Sequence, residues 1–361
     1  MLIPTEPIGS IPRPAELIAA FADRQAGAIS KEAFDAIAER ALRDTIRRFE
    51  QTGSPVITDG EQTKPSFVTY PIDGLPNLAS DGGVIPFADG HTRQLPRLTA
   101  GPFHYATYAS TYLAAAKRLT SVPVKQAVIS ASALSLLYPA AGIPGYSRDT
   151  FLSELVSEAV ADIRACLAQG ADSVQIDFTE GRLSLKLDPG GSLLQSFIAL
   201  NNRVLDHLSP QERERTGVHV CPGGDRDATH SADVDYGGLL PALFGLRVTR
   251  FYLQLASESD PERVLEIVHE HLPQDRNVRV FVGVIDPINP AVETPEQVCE
   301  RVLRAAEYLP PSQLGATDDC GFSPFADDAS TSRDIAFEKI HARVEGVRLA
   351  ARKLAHSQIG A

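Results

Sequence analysis

The 361-residue chain predicts an α/β fold of the TIM (β/α)8 barrel type. Three observations carry this expectation. Strand-like runs alternate with amphipathic helical segments along most of the sequence, eight such runs can be placed, and polar residues gather where the runs end. A doubly wound open sheet is the rival arrangement, but no Gly-x-Gly-x-x-Gly follows a strand-like run.

The first candidate strand, Pro7 to Ile11, is crowded by Pro7, Pro12 and Pro14, which suits a distorted or edge strand. Lys31 to Gln51 has apolar residues at helical spacing and ends near Gly53. Pro55 to Thr58 is the second strand. Residues 62–119 then form a long insertion rich in Pro, Gly and Asp, with a hairpin expected around Asp81-Gly82-Gly83. Segments of that length serve as lids or small added elements. Val124 to Ser130 and Ser173 to Asp177 are the third and fourth strands, separated by the helix Phe151 to Gln169, which Gly170 stops. Gly190 to Leu208 is helical and leads to the fifth strand, Gly217 to Cys221. Gly237 to Phe244 reads as a helix before Arg250 to Leu255. Asp260 to His271 reads likewise before Arg279 to Ile285, and Pro295 to Tyr308 before Leu314 to Thr317. Ser330 to Ala355 closes the chain as a helix, with Ser and Thr near its start and basic residues through its end. The expectation is one domain over residues 1–361.

Composition narrows the partners. The chain is 43% hydrophobic and 22% charged, with a formal net charge of −12. A surface that acidic argues against nucleic acid and anionic membranes, both of which need basic residues. No run of eighteen apolar residues and no basic-then-apolar leader is present, so a cytoplasmic location is expected. Four cysteines at these spacings give no disulfide framework. Cys166 and Cys299 fall in helical patterns and read as structural thiols. Cys221 and Cys320 fall at strand ends.

Barrel chemistry sits at the C-terminal ends of the strands. Here those ends carry Asp59-Gly60-Glu61, then Asp177, Glu180 and Arg182, then His219 and Cys221, Gln254, Asp286, and finally Asp318, Asp319 and Cys320. Polar groups are costly to bury unless paired or used. A helix N-cap role suits Asp286 or Asp318 better than Glu61 or Asp177, which directly end apolar runs. Strand alternation points His219 and Cys221 the same way. With Cys320 from another strand they can hold zinc and leave a fourth position open.

Taken in order, Ile8-Gly9-Ser10, Asp59-Gly60-Glu61, Val174-Gln175-Ile176-Asp177, His219-Val220-Cys221, Gly283-Val284-Ile285-Asp286, Val292-Glu293-Thr294-Pro295-Glu296 and Asp319-Cys320-Gly321 resemble the catalytic barrel of cobalamin-independent methionine synthase. The resemblance extends to a sister group, the zinc-dependent epoxyalkane:coenzyme M transferases. The stretch Cys221 to Asp235 and the segment Cys320-Gly321-Phe322-Ser323-Pro324-Phe325 look closer to that group.

The resemblance implies Zn2+ held by His219, Cys221 and Cys320, and a zinc-bound thiolate alkylated at sulfur. The thiol and the donor would both be small molecules, the donor a methyl-folate, a corrinoid or an epoxide. A Glu ligand of the methionine synthases is matched by Gln254, which can ligate through oxygen, stay unbound or leave the position to water; three protein ligands with the thiol as fourth is the expected state. Glu61 and Asp177 match positions that hold the amino group of homocysteine, and Ile8, Gly9 and Ser10 match the turn near its carboxylate. Lys64, Arg182 and Lys186 are cations able to pair with a sulfonate, phosphate or carboxylate. His230 is the candidate for acid or base work. Methyl transfer in methionine biosynthesis is the expected activity, with thiol addition to an epoxide as the alternative. A metal-free barrel of the uroporphyrinogen decarboxylase type is the rival from another class, in which the His-x-Cys and Cys set has no purpose.

Overall fold

A computed structural model describes residues 3–274 and 277–359. Of the span expected as one domain, Met1, Leu2, Asp275, Arg276, Gly360 and Ala361 therefore lie outside the described residues. Six strands, β1 (Gln126–Ile129), β2 (Val174–Asp177), β3 (Thr216–Val220), β4 (Arg250–Leu253), β5 (Arg279–Ile285) and β6 (Leu314–Asp318), pair in sequence order into one parallel sheet. Parallel neighbours need long crossovers, and helices supply them. The strands are buried along nearly their whole length, as expected when both faces are covered. The result is a mixed α/β fold.

Both sheet edges are extended by single parallel bridges, Thr5 to Ala316 beside β6 and Ile57 to Val124 beside β1. Those two outer segments also meet each other. The Ile11 amide donates to the Gly60 carbonyl at 3.0 Å, and the Thr58 hydroxyl donates to the Gly9 carbonyl at 2.8 Å. The first strand thus bridges at Thr5 and not along Pro7 to Ile11. The cause is local: Glu6 donates to Ala316, and Pro7 has no N–H with which to carry the ladder on.

The helices follow their sequence signals. Pro295–Tyr308 starts with Pro at its first position and a capping box from Thr294 and Gln297. It buries Val298, Cys299, Val302 and Ala305 on one face. Cys166 is buried likewise in Arg148–Ala168. Gly237 to Phe244 is a correction. It forms a three-residue 3-10 turn, Tyr236–Gly238, and a four-residue helix, Leu240–Leu243. Two glycines followed by Pro241 leave too few helix formers for a longer one. Helices Ala15–Gln25 and Glu180–Leu187 were not anticipated.

Within residues 62–119 the hairpin is also displaced from its expected place. Val84–Pro86 pairs antiparallel with Thr92–Gln94 around Asp89-Gly90, while Leu78–Ala79 pairs with Arg97–Leu98. Asp81 is taken instead by an ion pair with Arg97 at 2.9 Å. Asp162 of the helix Arg148–Ala168 fastens this region from below, accepting the Tyr70 hydroxyl at 2.5 Å and the Ala109 amide at 2.7 Å. Among the described residues, no helix is long and apolar enough to cross a membrane.

Candidate metal and thiol site

Strand β3 delivers His219 and, one residue past its end, Cys221; the turn after β6 delivers Cys320. Their ligand atoms all lie within 4.8 Å of one another. His219 is 2% exposed, and among the described residues neither ring nitrogen has a hydrogen-bond partner. Leaving such a group unsatisfied costs roughly 1–3 kcal/mol, and a metal would satisfy one of the two nitrogens. The two sulfurs stand 2.8 Å apart, and the Gly223 amide points at Cys221 Sγ from 3.4 Å. Burial pushes the Cys221 thiol up, whereas the hydrogen bond from Cys221 holds Cys320 well below the usual thiol range. One imidazole and two soft sulfurs close together, with Cys320 half-buried beside the cleft, fit zinc.

Beside them opens a narrow cleft. Its lining brings together Ile8, Gly9, Ser10, Glu61 and Asp177 with His219 and Cys320; the strand-end argument points to the last four of these and the family resemblance to the first three. Asp177 sits next to His219 in the β2–β3 register. It accepts from Gln175 Nε2 at 2.7 Å, and Gln175 Oε1 accepts from the fully buried Lys125 at 2.8 Å.

Glu61 adopts φ 54°, uncommon for a residue with a side chain. Two groups hold it there: Asp59 Oδ1 accepts its amide at 3.0 Å, and Arg13 donates to its carbonyl at 2.6 Å. Arg13 also holds the carbonyls of Lys64 at 2.8 Å and Phe325 at 2.8 Å, tying the Glu61 turn to the loop after Cys320. The sequence reading missed Arg13; its only signal is an arginine wedged between two prolines. Burial pushes the Glu61 carboxyl up to about 7, against the pull of Lys64.

The expected cations behave differently from the acids. Lys64 is fully buried but does not line the cleft; it donates to Glu61 Oε1 at 3.0 Å and to the Ala127 carbonyl at 3.0 Å. Arg182 is outside the lining too. It pairs with Glu258 at 2.6 Å and donates to the Val234 carbonyl at 2.7 Å. Lys186 bonds Asp233 at 2.9 Å and the His230 carbonyl at 3.0 Å. Two further expectations need correcting. Asp318 is no N-cap but a buried partner of Arg343, and Asp286 caps a turn through the Ile288 amide at 3.0 Å. The helix that follows Asp286 is capped by Thr294.

His230 lies behind the cleft wall. Burial pushes its imidazole down to about 4, with Lys186 and Arg182 adding to the effect. Ser231 Oγ donates to the Pro222 carbonyl at 3.1 Å, so it accepts from His230 Nδ1 at 2.9 Å and leaves Nε2 as a lone-pair acceptor. That nitrogen faces Gly223, a cleft residue, where a Cβ would come within 1.8 Å of it. Only glycine admits the ring so close. The hairpin of residues 84–94 covers this loop. Phe87 meets His230 edge-on with 5.6 Å between ring centroids, and Arg93 bonds both Asp225 at 3.0 Å and Asp327 at 2.9 Å.

The family model for the catalytic domain of cobalamin-independent synthase matches residues 3–333. The chain belongs to that family. Among its relatives, the 2-hydroxypropyl-CoM lyase of Xanthobacter autotrophicus is 25% identical, covering 99% of this chain and 97% of its own. The methionine synthase of Pyrococcus furiosus is 21% identical, covering 96% and 92%. A solved B12-independent methionine synthase from a Shewanella species, in complex with selenomethionine, superposes with a TM-score of 0.75 over 99% of this chain and 100% of that one. At 20% identity that likeness is one of fold. Both branches named by the sequence motifs are therefore represented in this methyl- and alkyl-transferring family, and the family shown is not the decarboxylase class.

Proposed function

We propose that this protein is a zinc-dependent transferase that joins a thiol sulfur to an alkyl carbon, and that its cleft favours homocysteine or a related amino-bearing thiol as the methyl acceptor. The observation that carries the proposal is His219, fully buried with two unpartnered ring nitrogens beside two thiols. His219, Cys221 and Cys320 would hold the ion. Zinc there would lower the pKa of a thiol joining it, so that a thiolate forms near neutral pH.

The rest falls to the chain's own residues. Glu61 and Asp177 both line the cleft, and Lys64 forms its direct ion pair with Glu61. The remaining negative charge suits a substrate ammonium. Ile8, Gly9 and Ser10 form the backbone wall where the substrate carboxylate would rest. His230 would exchange a proton past Gly223, a cleft residue with no side chain to block the ring. The 25% identical lyase supports the second reading, thiol addition to an epoxide with coenzyme M. Weighing against it, Lys64 and Arg182 are spent on protein partners, and among the described residues no Lys or Arg lines the cleft to meet a sulfonate. Turnover with a methyl-folate, a corrinoid and an epoxide identifies the donor.

The bonds from Ile11 to Gly60 and from Thr58 to Gly9 support a closed (β/α)8 barrel, with residues 62–119 as a cover over its C-terminal face. The charge of −12 suits a cytoplasmic enzyme of small molecules, with neither nucleic acid nor membrane as partner. Metal analysis followed by calorimetry with homocysteine and coenzyme M tests the reading. Bound zinc and tighter homocysteine binding support it; coenzyme M binding alone would transfer the protein to the epoxide branch, and absence of zinc would end both.

A further inference from the structure

Gln254 is 3% exposed, and its carbonyl oxygen Oε1 has no partner, a costly state for a buried acceptor. Strands β3 and β4 run in register, Tyr252 beside His219 and Leu253 beside Val220. Continued one residue past both strand ends, the same register sets Gln254 level with Cys221. Residues in register on parallel strands share a face, so Gln254 shares the face of His219 and Cys221.

The other end of the amide is tied. Its Nε2 donates to Ser257 Oγ at 2.8 Å, and Ser257 Oγ donates to Asp319 Oδ2 at 2.6 Å. Asp319 also accepts the amides of Leu255 at 2.9 Å, Ala256 at 2.9 Å and Ser257 at 2.7 Å. Gly283 makes room for this carboxylate, since a Cβ there would stand 1.8 Å from Asp319 Oδ1. A serine hydroxyl has one proton. Each Asp319 oxygen accepts two donors, the Ser257 hydroxyl among them, so that proton points to Asp319 and not to the amide. Once Ser257 has given its proton to Asp319 it can only accept, so it must face the NH2 end of Gln254.

We infer that Ser257, anchored by Asp319, is a positioning residue that fixes the Gln254 amide with its carbonyl oxygen toward the His219–Cys221 face, where it would offer a metal held there a neutral oxygen. A flipped amide would aim two N–H donors at the cation instead. Asp319 therefore links the turn that carries Cys320 to the segment that carries Gln254. The inference rests on the zinc reading of the site and goes beyond it by assigning the group that orients the oxygen donor.

The test is zinc affinity by competition with a chelator on the intact protein, for wild type, S257A, Q254L and the double variant. Ser257 is exposed, so S257A should keep the fold, which circular dichroism checks; S257T restores the hydroxyl. Outer partners of metal ligands typically change affinity about 10–100-fold. S257A and Q254L should each weaken zinc by about 10-fold, S257T should recover most of the loss, and S257A should cost nothing further in the Q254L background. Wild-type affinity in S257A, or additive losses in the double variant, would overturn the inference while leaving the zinc site intact. A wild-type protein that takes up no zinc would instead overturn the zinc reading itself.

Discussion

Asp177→Asn removes a charge from the cleft while keeping shape and one hydrogen bond. Asp177 is 6% exposed, sits next to His219 in register and accepts from Gln175 Nε2 at 2.7 Å. An asparagine oxygen can keep that bond. What it loses is the charge-assisted bond to a substrate ammonium, which contributes roughly 1.5–3 kcal/mol. At about 1.4 kcal/mol per factor of ten, homocysteine should bind about 10–100-fold more weakly. A thiol of similar length with no amino group should bind within about twofold of wild type, because it never made the bond. The assay is calorimetry on zinc-loaded protein, with metal content measured alongside to show that His219 and the thiols are undisturbed. Equal losses for both thiols would refute an ammonium role for Asp177, and so would no loss for either.

Lys64→Met should destabilise strongly, by about 3–5 kcal/mol, since it strands the buried Glu61 carboxylate without its cation. Urea unfolding should show part of this recovered in the E61Q/K64M double variant. His230 supplies a pH signature. Its imidazole lies near 4 in the folded protein against 6.5 when unperturbed, so below 6.5 the unfolded chain takes up a proton that the folded one refuses. The contribution is present above pH 6.5 and is lost as pH falls toward 4, a span of about 3 kcal/mol. H230Q should therefore lose that much less stability than wild type between pH 7 and 4, read by urea unfolding; parallel curves would show that the ring is not buried neutral. Arg93→Met should speed amide hydrogen exchange across residues 84–94 and 221–235, whereas D327N should do so less, because Asp327 is half exposed and Asp225 is not.

The metal-fitting trio was legible in the sequence because it needs only the two-residue period of a strand and the rule that barrel sites sit at strand ends. Glu61 and Asp177 were legible on the same ground. The fate of the cations was not. Lys64 is three residues from its partner, but Arg182 finds Glu258, and Arg343 finds Asp318, across long stretches of chain. A long side chain advertises its charge in the sequence but not the direction in which it turns. Arg13 was hidden for the same reason, since all its bonds go to backbone carbonyls that any residue could present. The first strand was misplaced by a few residues because a proline signals where pairing stops better than where it starts. The two Asp-Gly sites near residues 81 and 89 offered equal turn chemistry, and the ion pair between Asp81 and Arg97 helped decide between them.

Zinc K-edge absorption on the purified protein, recorded alone, with homocysteine and with coenzyme M, tests the central claim most directly. The free protein should hold about one zinc per chain with the two sulfur neighbours of Cys221 and Cys320. Homocysteine should add a third sulfur, and coenzyme M should not. A spectrum without zinc, or one whose sulfur count stays unchanged with homocysteine, would contradict the account.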